Sequence, residues 1–157
     1  MNYYNSSYQM RTMKKKIDDK PVEIMFVESD PKDLLQFIEV FNESMIPHNI
    51  RFCGNGEESL IMIRQLGEYS NIPKPDIIIF DLKNLRNKGG WEILAEIIQA
   101  ECIPLVILSD IEGEKELWTY RKCPNLLITK PNKLEEYKDA LKAVEEFWLN
   151  IQSNTKK

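Results

Sequence analysis

Asp81 stands at the end of four consecutive apolar residues, Ile77, Ile78, Ile79 and Phe80. A short unbroken apolar run is the pattern of a strand buried on both faces. A carboxylate that ends such a strand reaches the crevice at the carboxyl edge of an open α/β sheet. Other apolar runs end in groups suited to the same crevice. Residues 22–27 lead into Glu28, Ser29 and Asp30, residues 104–108 into Ser109, and residues 126–129 into Lys130 and Pro131. Carboxylates brought close together repel one another and need a cation. A hard divalent ion such as Mg2+, held by one or two carboxylates with water, is one solution. A lysine is the other solution. The Ser109 hydroxyl and the Lys130 ammonium both suit phosphoryl oxygens, so Asp81 is the candidate phosphoryl acceptor, with Ser109 and Lys130 as its partners.

The intervening segments must place these groups on one edge. Asp30 is suited to cap a helix and Pro31 to open it. Its expected inward residues are Leu34, Leu35, Ile38, Val40, Phe41 and Met45, with Pro47 as the stop. A second strand is expected over 49–53 and a second helix over 57–66, turning Leu60, Ile61, Ile63 and Leu66 inward and stopping at Gly67. Further helices are expected over 91–100, 113–121 and 132–151. The last carries Leu134, Tyr137, Leu141, Val144, Phe147, Trp148 and Ile151 on its apolar stripe. Five strands alternating with five helices specify a doubly wound parallel sheet. The flavodoxin-like (βα)5 arrangement, strand order 2-1-3-4-5, is the expectation. Residues 1–20 read as a flexible arm, 21–151 as the domain and 152–157 as a frayed tail.

The chain has 157 residues, 43% hydrophobic and 29% charged, with a net charge of −4. That is an ordinary soluble mix with no footprint for nucleic acid. No apolar run approaches the ~20 residues of a membrane span, and no signal-peptide pattern opens the chain. Cys53, Cys102 and Cys123 are too far apart for a metal motif and read as small buried hydrophobes in a reducing cytoplasm. His48, the sole histidine, reads as a surface turn residue.

The chain resembles the receiver domains of two-component response regulators. More narrowly, it looks like the stand-alone receivers related to cyanobacterial phytochrome response regulators and their archaeal relatives. The resemblance covers residues 22–151. It rests on Gly67-Glu68-Tyr69 before Pro73-Lys74-Pro75-Asp76, on Trp91-Glu92-Ile93-Leu94-Ala95-Glu96, and on Ile103-Pro104. Ile128-Thr129-Lys130-Pro131 and Glu145-Glu146-Phe147-Trp148-Leu149 complete it. It implies a non-enzymatic cytoplasmic phosphoprotein of phosphorelay signalling. Asp81 would accept a phosphoryl group from a histidine kinase, with Ser109 and Lys130 responding. Output would pass through protein contacts, including a homodimer through the fourth helix, fifth strand and last helix.

The pattern also breaks. Pro31 fixes the register, so Glu28 and Ser29 occupy the acidic pair of the family, and the second acid is missing. Asp30 lies one place late. Leu85 stands where relatives carry a proline, and Asn87-Lys88-Gly89-Gly90 replaces an Asp-Gly. Lys83 falls where a backbone carbonyl ordinarily meets the metal, and its ammonium could stand in for the ion. The resemblance leaves Glu28 and Asp81 to hold the ion, with Asp30 able to reach back. The loss of one direct ligand implies weak or absent Mg2+ binding and less of the charge neutralisation and alignment that the metal supplies. The alternative function is a pseudo-receiver, a protein-binding module independent of phosphorylation. A haloacid-dehalogenase-type hydrolase would want a second aspartate at Lys83, and a flavodoxin phosphate loop would not carry Glu28 and Asp30.

Overall fold

The computed structural model describes residues 20–28, 30–81, 92, 95–97, 99, 102–109 and 125–155. Five parallel strands form one sheet: β1 (Val22–Val27), β2 (His48–Cys53), β3 (Ile77–Asp81), β4 (Leu105–Ser109) and β5 (Asn125–Thr129). Their order is 2-1-3-4-5, as expected. Helix α1 (Pro31–Phe41) follows β1, α2 (Gly56–Ile63) follows β2, and α3 (Leu134–Thr155) follows β5. Residues 92, 95–97 and 99 are helical, within the helix expected over 91–100. The arm at 1–19, the loop with Lys83 and the helix expected over 113–121 lie outside the described residues.

Strand alternation divides the core. Val22, Ile24, Phe26, Ile77, Ile79, Val106 and Leu108 pack beneath α1 and α3. Met25, Val27, Ile78, Phe80, Leu105 and Ile107 pack with Met62 and Ile63 of α2 and with Ile97. Both faces of β1, β3 and β4 are therefore dry, which is why their sequences run apolar without alternation.

The helix faces differ from the sequence expectation in detail. The buried residues of α1 are Phe37, Val40 and Phe41, whereas Leu35 is 66% exposed. The helix ends at Phe41 because the Glu43 and Ser44 amides bond three residues back, to Val40 and Phe41, which tightens the last turn. Met45 is left exposed beyond it. In α2 the buried residues are Gly56, Ser59, Met62 and Ile63, while Ile61 and Leu66 face out. After α2 the backbone turns through the left-handed region at Gln65 (φ 54°) and Gly67 (φ 57°), a conformation that glycine adopts without penalty. Helix α3 buries Tyr137, Ala140, Leu141, Val144 and Trp148. It runs past Ile151 to Thr155, into residues expected to fray, since 152–155 contain neither glycine nor proline. His48 opens β2 instead of lying in a turn. Its Nδ1 lies 2.8 Å from the Ile46 carbonyl and its ring edge-on to Phe41. Cys53 is a buried free thiol. Cys102 departs from the reading as a buried hydrophobe, being exposed and disulfide-bonded. No described helix is long and apolar enough to cross a membrane.

Candidate functional site: an acidic pocket at the carboxyl edge

Strand order reverses between β1 and β3, so the crevice at their carboxyl ends is the switch point of the sheet. Val27 pairs with Phe80 across this junction, which carries Glu28 to the side of Asp81. Asp81 pairs in turn with Leu108, one residue before Ser109, and Ser109 pairs with Thr129, one residue before Lys130. The Lys130 amide donates to the Ser109 carbonyl at 2.7 Å, locking the turn into Pro131. Glu28, Asp81 and Ser109 are all buried.

Lys130 reaches across this edge. Its Nζ lies 2.7 Å from Asp81 Oδ2 and 2.7 Å from Asp33 Oδ2. Asp33 is a site residue that the sequence reading overlooked. It belongs to the first turn of α1, four residues before Phe37, so both lie on the helix face turned to the sheet. Phe37 packs against Phe26 (ring centroids 4.8 Å apart) and edge-on to Tyr137 (4.9 Å). The Tyr137 hydroxyl donates to Asp33 Oδ1 at 3.4 Å. The aromatic core thus holds the helix that aims Asp33. The readable signal was the i, i+4 relation of Asp33 to a phenylalanine, obscured because Leu35 was assigned to the inner face.

Asp30 has a different job. Its Oδ1 accepts the Lys32 amide as the N-cap of α1, and its own amide donates to Glu28 Oε1 at 2.9 Å. Ser29 and Lys83 lie outside the described residues.

The electrostatics follow from burial. Desolvation pushes the Glu28 carboxyl up from 4.5 to about 7, a hydrogen bond with Asp81 adds to the rise, and the Asp30 amide opposes it. Glu28 therefore holds its proton to higher pH than an exposed glutamate does. Burial works against the charge on Lys130, but its bonds to Asp33 and Asp81 prevail and hold its pKa above the ordinary lysine value. Burial and the adjacent Asp33 push the Tyr137 hydroxyl up to about 12.

Glu28, Asp33 and Asp81 each offer a carboxylate oxygen, and these oxygens lie within 4.8 Å of one another. All are hard donors, suited to a small divalent cation completed by water. The residues present therefore fit the metal implied by the family resemblance.

An open parallel sheet with a buried, lysine-bridged aspartate at its switch point is the arrangement of a flavodoxin-like receiver. Comparison with known proteins agrees. No family model matches the chain. The response regulator Rcp1 of Synechocystis sp. is 34% identical over 133 residues, spanning 82% of this chain and 90% of Rcp1. The probable methanogenesis regulatory protein FilR2 of Methanothrix harundinacea is 25% identical over 135 residues, 83% of this chain and 86% of FilR2. Among solved structures, the phosphorylated cyanobacterial phytochrome response regulator RcpA superposes with a TM-score of 0.71 at 33% identity, covering 83% of this chain and 95% of RcpA. Mn2+-bound Rcp1 gives a TM-score of 0.69 at 32% identity, covering 82% and 95%. The chain belongs to the response regulator receiver family, in the group of Rcp1 and RcpA.

Proposed function

We propose that the chain accepts a phosphoryl group on Asp81 from a histidine kinase and signals by protein–protein contact. The observation that carries this reading is the Lys130 ammonium seated 2.7 Å from the buried Asp81 carboxylate, at the one edge where Glu28 and Ser109 also end. In the proposed reaction an Asp81 oxygen attacks the phosphorus of a phosphohistidine. The O–P bond forms as the P–N bond breaks, and the bonding pair stays with the imidazole. Lys130 then follows the charge from the carboxylate to the phosphoryl oxygens, and the Ser109 hydroxyl donates to one of them. A divalent cation held by Glu28 and Asp81 would supply charge neutralisation during transfer. Glu28 must shed its proton to serve as a ligand. RcpA is a cyanobacterial phytochrome response regulator, so a kinase of that class is the first donor to test.

Phosphotransfer from a purified, radiolabelled histidine kinase tests the reading. Label is expected on the wild type and not on Asp81→Asn. The rival reading, a pseudo-receiver binding its partner without phosphorylation, draws on Ser29 in place of an acid. It predicts no label and partner affinity indifferent to Asp81→Asn. Homodimerisation is proposed through the helix expected over 113–121, β5 and α3. It is supported by β5 being the edge strand, with Leu127 37% exposed. Light scattering that finds only monomer with beryllofluoride bound overturns it.

A further inference from the structure

We propose that Asp33 fills the metal-ligand position left by Ser29, so that a divalent cation binds through Glu28, Asp33 and Asp81 in direct competition with the Lys130 ammonium. The inference rests on the receiver reading of the site. Three observations carry it. The oxygens of these three residues lie within 4.8 Å of one another, so one small ion can meet all three. A single ammonium already lies 2.7 Å from both Asp33 Oδ2 and Asp81 Oδ2, which marks where positive charge is held. Asp30, nearer in sequence to the missing acid, spends its Oδ1 on the Lys32 amide.

The acid has moved from the strand end to the first turn of the following helix. Its approach to Asp81 depends on α1 being pinned by Phe37 and on the Tyr137 hydroxyl bonding its other oxygen. Lys130 is the counter-charge that Asp33 and Asp81 share. A divalent ion must take two oxygens from it, and the released ammonium then faces whatever anion arrives at Asp81. Metal and lysine thus hold the same oxygens in turn, and metal affinity is set by how strongly Lys130 resists.

Manganese binding, read by the electron paramagnetic resonance signal of free Mn2+, tests this without any phosphoryl donor. Asp33→Asn is expected to weaken Mn2+ binding by at least about tenfold. Lys130→Met, which removes the competitor, is expected to tighten it. The Asp33→Asn loss should persist in the Lys130→Met background, since a direct ligand does not act through the lysine. Adding Ser29→Asp to Asp33→Asn should restore affinity. Circular dichroism and unfolding midpoints confirm that each variant is folded. Wild-type affinity in Asp33→Asn overturns the inference, and so does a loss that vanishes without Lys130. No recovery with Ser29→Asp overturns the exchange between the two positions. A wild-type chain that binds no Mn2+ overturns the metal part of the functional reading and this inference together, whereas the first three results leave phosphoryl acceptance standing.

Discussion

The Nζ of Lys130 lies 2.7 Å from Oδ2 of Asp81, two strands away at the buried edge of the sheet. The side chain of Asp81 is 2% exposed and that of Lys130 12%. Removing one partner from such a pair leaves the other charge uncompensated away from water. Metal-free Lys130→Met should therefore unfold with a stability lower by roughly 3–5 kcal/mol, and excess Mg2+ should return part of the loss. Urea denaturation with and without the ion measures both. A neutral effect of Lys130→Met would mean that the pair is solvated.

The placement of Asp33 depends on an aromatic support. Phe37 is 2% exposed and sits between Phe26 and Tyr137, so Phe37→Ala should cost about 3–5 kcal/mol. Leu35 is 66% exposed, and Leu35→Ala should change stability by no more than about 0.5 kcal/mol. Tyr137→Phe deletes only the bond to Asp33 and should cost about 1 kcal/mol. Equal costs at positions 35 and 37 would overturn the assignment of the inner face of α1.

This pair of positions also shows what the sequence could and could not reveal. Strands β1, β3 and β4 were legible because they are buried on both faces and read as unbroken apolar runs. Glu28, Asp81 and Ser109 were legible because each ends such a run, and Lys130 because it follows the short edge strand β5. Helix faces were harder. Residues 34–41 contain apolar groups on most sides, and only packing against Phe26 and Tyr137 selects Phe37 over Leu35. Asp33 was missed for the same reason, since its approach to Asp81 exists only once that face is known. Asp30 was legible as the cap of a proline-led helix, and its Oδ1 accepts the Lys32 amide as that reading expects.

Glu28 gives the metal-free protein a pH signature. Its carboxyl is raised by burial and by Asp81, from 4.5 to about 7. Below pH 4.5 it is protonated in both folded and unfolded chains, and its contribution is complete. As pH rises, the unfolded chain loses the proton first, so stability falls through the window from 4.5 to about 7. Glu28→Gln mimics the protonated form and should remove that slope. Urea unfolding in chelator across this range checks it, and an unchanged slope in the variant would place the titration elsewhere.

The cysteines should behave unlike one another. Burial, with Glu58 adding to it, pushes the Cys53 thiol up to about 12, and its Sγ lies 3.1 Å from Met62 Sδ. Thiolate is the reactive form, so Cys53 should resist alkylation in the folded protein at pH 8. Cys102 is held in a disulfide, so unfolded protein should take up more label after reduction than before. Mass spectrometry after alkylation counts both, and rapid native labelling of Cys53 would contradict the buried thiol.

The central claim is that Asp81 is the phosphoryl acceptor of this acidic edge. Intact mass after incubation with acetyl phosphate and Mg2+, on wild type and on Asp81→Asn, tests it most directly. The account predicts that the wild type gains the mass of one phosphoryl group, that chelator suppresses the gain, and that Asp81→Asn gains nothing. A wild type that stays at its starting mass at every Mg2+ concentration, or an Asp81→Asn variant that gains the same adduct, would contradict it.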